Sequence, residues 1–365
     1  MHWLTTGNQL INDLTARVAR NCRISDARSW GYHSICGLLL RLRELYKWEH
    51  GLEPWDRPGT EEVMAWIGPI ESLWEDLEKA ELEELEIGGQ RIDPFDAEAV
   101  NGHVVPLGCY YAAGHGMAMK PLFVLGELAG RREVDGSEVV TLGRELVRDL
   151  SPTPAMNRDG RIIARSEAMK WFLWVWLEEA GAKKDPNLAA LALGREGVEL
   201  AAVLADPAPH REYLENLAGR ELEAVVHHEL GEVGEERRLG GRWGDTFSRS
   251  CGTKGELLAR GLKDVLADTI DGGRLDYLTG RKALVSVGLF AAFSDGLRKR
   301  LFPELGGLFG DLLEDGDWGA MEKGRKKAHR RMQKFVEPLL GLFEEEMPEE
   351  ERTRKTDELE EKMMG

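Results

Sequence analysis

Apolar residues recur at intervals of three and four along most of this chain, a spacing that commits it to packed amphipathic helices. The segment "SICGLLLRLRELYKW" (34–48) puts Ile35, Leu38, Leu39, Leu42, Leu45 and Tyr46 on one helix face. "EEVMAWIGPIESLWEDLEKAELEEL" (61–85) repeats the pattern, and Pro69 is expected to kink or restart it, because proline removes a backbone donor. "RSEAMKWFLWVWLEEAG" (165–181) is apolar nearly all round in its middle, as a helix at the centre of a bundle would be. Further helices are predicted at 115–130, 187–205, 210–231, 254–270, 281–301 and 320–345.

Strand signals are few. "LEIGGQRID" (85–93) and "REVDGSEVVTL" (132–142) carry Gly88-Gly89 and Asp135-Gly136, dipeptides suited to two-residue hairpin turns that need positive φ. The expected fold is therefore mainly α, a multi-helix bundle-like body with one or two small β-hairpin insertions. It reads as a single large helical domain over 1–343, with sub-boundaries allowed in the Pro- and Gly-containing loops at 151–160 and 205–210. The charged tail, 344–365, is expected to be a frayed helix or disordered.

Composition narrows the function classes. The chain of 365 residues carries a formal net charge of −17, which opposes global attraction to nucleic acid or to an anionic membrane. Its densest apolar run, "WFLWVWL" (171–177), is far short of the roughly 20 residues a bilayer span needs. Cys22, Cys36, Cys109 and Cys251 are widely spread with no CxxC, so reduced thiols and a cytoplasmic setting are expected. The N-terminus lacks the apolar run of a signal peptide.

The segment with most chemical potential is "VVHHELGEVGEER" (225–237). At about 100° per residue, Leu222, Val225, Val226, Leu230 and Val233 form an apolar arc, and Glu229 falls inside it. His228, Glu232 and Glu235 make a second stripe, and Glu223 pairs with His227 beside the arc. Gly231 and Gly234 weaken the helix and permit close approach of another backbone or a ligand. In "KGELLARGLKDVLADTI" (254–270), Asp268 lies at the edge of the face built by Leu258, Leu262, Val265 and Leu266, one turn after Asp264. An acid turned toward a core requires a cationic or metal partner. An ordinary salt bridge competes with a ligand role at each position.

His33, His228-Glu229 and Asp268, taken in order, resemble the metal-dependent phosphohydrolases of the HD type. That resemblance implies a divalent metal held by a histidine, a His-acid pair and a late aspartate on helices. Here Glu229 stands where that family has Asp, and nearly two hundred residues separate His33 from His228. A di-iron carboxylate bundle is the second metal reading, with Asp26 and His33 as a further ligand helix, although no paired Glu-x-x-His appears. The phrases "GHGMAMKPLF", "HHELGE" and "KDVLADT" are similar, in that order, to an uncharacterised bacterial family without assigned activity.

The expectation is a metal-dependent enzyme, hydrolysing a phosphorylated or otherwise anionic small molecule. His33, His228, Glu229 and Asp268 would bind Mn, Zn or Fe. Glu232 or Asp264 would act as general base or orient a ligand histidine, and Lys120 would hold an anionic substrate group. The rival is a non-catalytic scaffold in which the same residues form buried ion pairs. The basic run at 322–335 is read as a solvated helix face balancing the acidic tail, and self-association of the chain stays open.

Overall fold

A computed structural model describes residues 8–158, 160–183, 187–294 and 296–364. They fall into two units, Met1–Val134 with Glu138–Trp174, and Asp135–Ser137 with Val175–Gly365.

The N-terminal unit opens with helices α1 (Gln9–Ser29), α2 (Ile35–Glu49) and α3 (Thr60–Leu77). A small hairpin, β1 (Leu85–Ile87) and β2 (Gln90–Ile92), leads to helix α4 (Ala97–Val104). A five-stranded mixed sheet follows: β3 (Cys109–His115), β4 (Pro121–Val134), β5 (Ser137–Val147), β6 (Ala155–Arg158) and β7 (Arg161–Arg165). The strand order is β3-β4-β5-β7-β6, with β5 and β7 parallel and the β3–β4 and β6–β7 pairs antiparallel. The sheet curls: a Cβ on Gly114 of β3 would collide with the Arg158 side chain of β6, whose guanidinium donates to the His115 carbonyl at 3.3 Å.

Both predicted hairpin turns form, with positive φ at Gly88 and Gly89 and at Asp135 and Gly136. The expectation of one or two hairpins nevertheless understates the sheet. Residues 115–130 were expected to be helical, yet Pro121–Val134 is a strand. Phe123, Val124, Leu125 and Gly126 are all buried in succession, because both sheet faces are covered. Tyr111, Phe123 and Leu125 pack with Ile11, Leu14 and Val18 of α1 on one side, while Tyr110, Val124, Val140 and Ile163 form the core of the other. A strand buried on both faces loses its period of two, and sequence then cannot separate it from a helix.

Edge strand β3 has an unusual neighbour. The Asn101 side chain of α4 accepts from Tyr111 N–H at 2.8 Å and donates to the Tyr111 carbonyl at 2.8 Å, as a paired strand residue would.

Helix α5 (Ser166–Ala182) carries the chain onward to a series of helices: α6 (Leu188–Gly194), α7 (Leu200–Ala205), α8 (Arg211–Leu239), α9 (Arg242–Ser250), α10 (Lys254–Thr269), α11 (Arg274–Gly280), α12 (Leu284–Phe293), α13 (Gly296–Leu301), α14 (Leu305–Asp315), α15 (Trp318–Gln333), α16 (Val336–Glu344) and α17 (Glu349–Met364). The tail is thus helical, and its Leu359 and Met363 are buried. No helix among the described residues is long and apolar enough to cross a membrane.

Candidate functional site

The site is built where α8 and α10 touch. Gly231 makes that contact possible: a Cβ there would lie 2.2 Å from the Ala267 carbonyl oxygen of α10. The glycine costs α8 some helix propensity, up to about 1 kcal/mol relative to alanine. It gains a backbone-to-backbone approach that brings acids of α10 beneath the His228 ring.

His228 Nδ1 lies 2.8 Å from Asp268 Oδ1, and Asp268 is 1% exposed. On the other side of the ring, Nε2 is 3.6 Å from Glu232 Oε1, one turn along α8, and 4.0 Å from Asp264 Oδ1. One donor atom each from His228, Glu232 and Asp264 falls within 4.8 Å of the other two. The second oxygens of these acids are held by cations: Lys263 Nζ on Glu232 Oε2 at 2.8 Å, and Arg298 on Asp264 Oδ2 at 2.7 Å. Arg298 also lies 3.7 Å from Asp268 Oδ2.

Burial opposes every charge here, and the partners outweigh it. Desolvation disfavours the His228 imidazolium, but Asp268 and Glu232 hold its pKa well above the usual histidine value. Asp268 is penalised by burial, yet His228 and Arg298 keep it below the ordinary carboxylate range. Glu232 is lowered in the same way by Lys263 and His228. Lys263 and Arg298 are raised by the acids they contact, against desolvation.

Four residues singled out from sequence therefore meet: His228, Glu232, Asp264 and Asp268. Asp268 takes the Nδ1 side, where it orients the ring, whereas Glu232 and Asp264 share the Nε2 side. Glu229 is buried on α8, where its charge helps raise Lys263, and its carboxylate is not one of the three converging donors. His33 and Lys120 belong to the N-terminal unit. His33 precedes α2, and burial, Arg41 and Lys120 disfavour its protonation. Lys120 Nζ is committed to Asp26 at 2.6 Å. Burial raises Asp26 to about 6, with Lys120 pulling it down and Asp149 pushing it up.

Sequence reasoning missed Lys263 and Arg298. Lys263 adjoins Asp264 and carried a signal, since a lysine beside two inward acids is their simplest counter-charge. Arg298 lies 34 positions after Asp264, and no periodicity connects them.

A second acidic group, Asp271, Asp276 and Glu322, has comparable spacing, but Arg325 occupies it. Its NH2 reaches Asp271 and Glu322 at 2.7 Å each and Asp276 at 3.1 Å. Much of the basic run at 322–335 is spent in this way, with Lys326 on Glu322 and Arg331 on Glu304.

No curated protein and no solved structure matches the chain. Residues 13–165 match the model described as the N-terminal domain of a family of unknown function (DUF6866), and residues 170–362 match that family's C-terminal domain. With both domains present in order, the chain belongs to this family of unknown function.

Proposed function

We propose that this protein is a divalent-metal-dependent hydrolase acting on a small anionic, phosphate-bearing molecule, with its metal held by His228 Nε2, Glu232 and Asp264. The observation that carries the reading is the separation of the three donors, with Nε2 at 3.6 Å and 4.0 Å from the two carboxylate oxygens. Bonds of about 2.1 Å in tetrahedral or octahedral geometry put neighbouring ligand atoms roughly 3–4 Å apart. One imidazole and two carboxylates suit Mn, Zn or Fe(II), and three protein ligands leave a position for water. The chemistry such an ion would supply is an activated water as nucleophile. Asp268 behind Nδ1 is the outer partner that metal-binding histidines need. Arg298, with its side chain 29% exposed, supports an anionic substrate, since a guanidinium pairs well with phosphate oxygens.

One observation favours a second reading, an ion-pair lock without catalysis: Lys263 and Arg298 already neutralise Glu232 and Asp264. Metal analysis separates the two. Purified protein titrated with Mn(II), Zn(II) or Fe(II) is expected to bind one equivalent, lost in His228→Gln while the fold persists by circular dichroism. Failure of the wild-type chain to bind any of the three at micromolar concentration would reject the metal centre and leave the lock. An iron-dependent near-ultraviolet band would instead indicate a di-iron site.

A further inference from the structure

The N-terminal unit buries guanidinium groups that its own acids leave unsatisfied. Arg165, the last residue of β7, is 0% exposed; its Nε donates to Glu145 Oε1 at 2.6 Å, while NH1 and NH2 have no acceptor. Arg148 follows β5 directly and is 6% exposed. Its guanidinium carbon lies 5.3 Å from the Trp48 ring and 5.2 Å from the Trp171 ring, and its Nε and NH1 have no acceptor. The Trp48 indole N–H is unsatisfied as well.

Glu145 of β5 connects these groups: it pairs with Arg165 of the neighbouring β7 at 2.6 Å and lies three residues before Arg148 in sequence. Glu167 accepts from Glu145 N–H at 2.6 Å and Asp149 from Ser151 N–H at 2.7 Å, and both acids also act on Arg148 through their charge. Burial lowers the Arg148 pKa, Glu145 opposes that effect, and the Arg165 charge adds to it, so the two guanidiniums feel each other. One acceptor is also left over, Glu145 Oε2, buried and without a donor.

A buried donor left without an acceptor is costly, more so when charged, and four guanidinium nitrogens here lack acceptors. Planar arginine forks match the oxygens of phosphate and carboxylate. The orphan Glu145 oxygen adds a demand that a fully deprotonated anion does not meet.

We propose that Arg148 and Arg165 form a binding site for a small oxyanion that keeps one O–H, hydrogen phosphate being the simplest. The arginines donate to its oxygens, its O–H donates to Glu145 Oε2, and Trp48 and Trp171 clamp the faces of Arg148. The site is independent of the metal centre.

The test is calorimetric titration of the full chain, freed of phosphate and held at constant ionic strength with chloride, using inorganic phosphate and then sulfate. One phosphate per chain is expected, bound about tenfold or more tighter than sulfate, which has no O–H to give at neutral pH. Arg148→Met should weaken phosphate at least about tenfold. Glu145→Gln should erase the preference over sulfate, since an amide donates to either anion. Absence of binding at millimolar phosphate overturns the proposal and assigns the orphan groups to buried water. Equal binding of phosphate and sulfate by the wild-type chain overturns the role of Glu145, and unchanged affinity in Arg148→Met overturns the site. Should Arg148→Met fail to fold, the wild-type titration and Glu145→Gln still decide the matter.

Discussion

Each unit buries a set of charges, and the two sets are completed differently. Between α8 and α10, His228, Lys263 and Arg298 each face a carboxylate, and Asp268 Oδ2 is left there as an acceptor without a hydrogen bond. At the ends of β5 and β7, Arg165 pairs with Glu145, and Arg148 and Arg165 still have unsatisfied donors. In the proposed metal centre the first set would give up the proton on His228 for the ion. The second set has donors to spare and would take up the proposed anion. Helices whose backbone bonds are internal let side chains from two elements approach one another, and here they bring each cation to an acid. A sheet fixes its side chains at register positions, and Arg165 has to stay where β7 puts it.

The largest expected effect tests the α8–α10 network. Asp268→Ala would strand His228 and Arg298 beside a buried hole, a loss of about 3–5 kcal/mol in denaturant titration, with Asp268→Asn costing less. A small loss from Asp268→Ala would mean that the network is looser than its distances imply.

Next is the buried pair of the sheet unit. Lys120→Met should destabilise by about 3 kcal/mol at pH 8 and by much less at pH 5. The sign follows from Asp26, whose folded pKa is raised to about 6 from 3.8, so the folded state prefers it protonated. Folding weakens as pH rises from about 4 to 6, and removing Lys120 deepens and extends that loss upward. A pH-independent loss would show that Asp26 does not titrate in this range.

Gly231→Ala should cost about 1–3 kcal/mol, because the new methyl meets the backbone of α10 rather than a flexible side chain. It should also abolish metal binding by parting His228 from Asp268 and Asp264. Full stability together with intact metal affinity would contradict the contact.

Metal affinity should then rise about tenfold per pH unit, equivalent to about 1.4 kcal/mol, until His228 has lost its proton. Without metal, the stabilisation from the raised His228 pKa is complete below about 6.5 and lost as pH climbs through its folded value. The lowered Glu232 and Asp268 contribute above about 4 and lose that contribution as pH falls through their folded values. Calorimetry in buffers of different ionisation enthalpy should register one proton released per metal bound.

The smallest effect serves as the control. Arg144→Gln breaks an exposed pair with Glu127, with side chains 40% and 46% exposed, and should cost under about 0.5 kcal/mol.

The helical unit was far more legible in sequence than the sheet unit. The α8 stripe containing His228 and Glu232, the inward acids of α10 and the role of Gly231 all follow from 100° geometry, because a helix displays its contacts as a fixed spacing. Asp268 was visible as well, although its place behind the ring rather than at the ligand face depends on tertiary packing. In the sheet, the turns at Gly88-Gly89 and Asp135-Gly136 were readable from local chemistry. Strand β6 lies in the segment read as a loop and β7 in a stretch given no element, since the two are only four and five residues long and β7 pairs with β5 at a distance in sequence. Arg148 and Arg165 raised no signal, because nothing in a linear sequence marks an arginine that a sheet will bury.

The Asn101 amide on β3 has a further consequence. Unclaimed backbone groups on an outer strand are a template on which another chain can dock and propagate. The carboxamide occupies the Tyr111 position from the side, so a second molecule cannot run its backbone along β3 without first evicting it. Asn101→Ala should leave the monomer folded and make it prone to stack edge to edge at high concentration, a change that light scattering would register long before any loss of melting temperature.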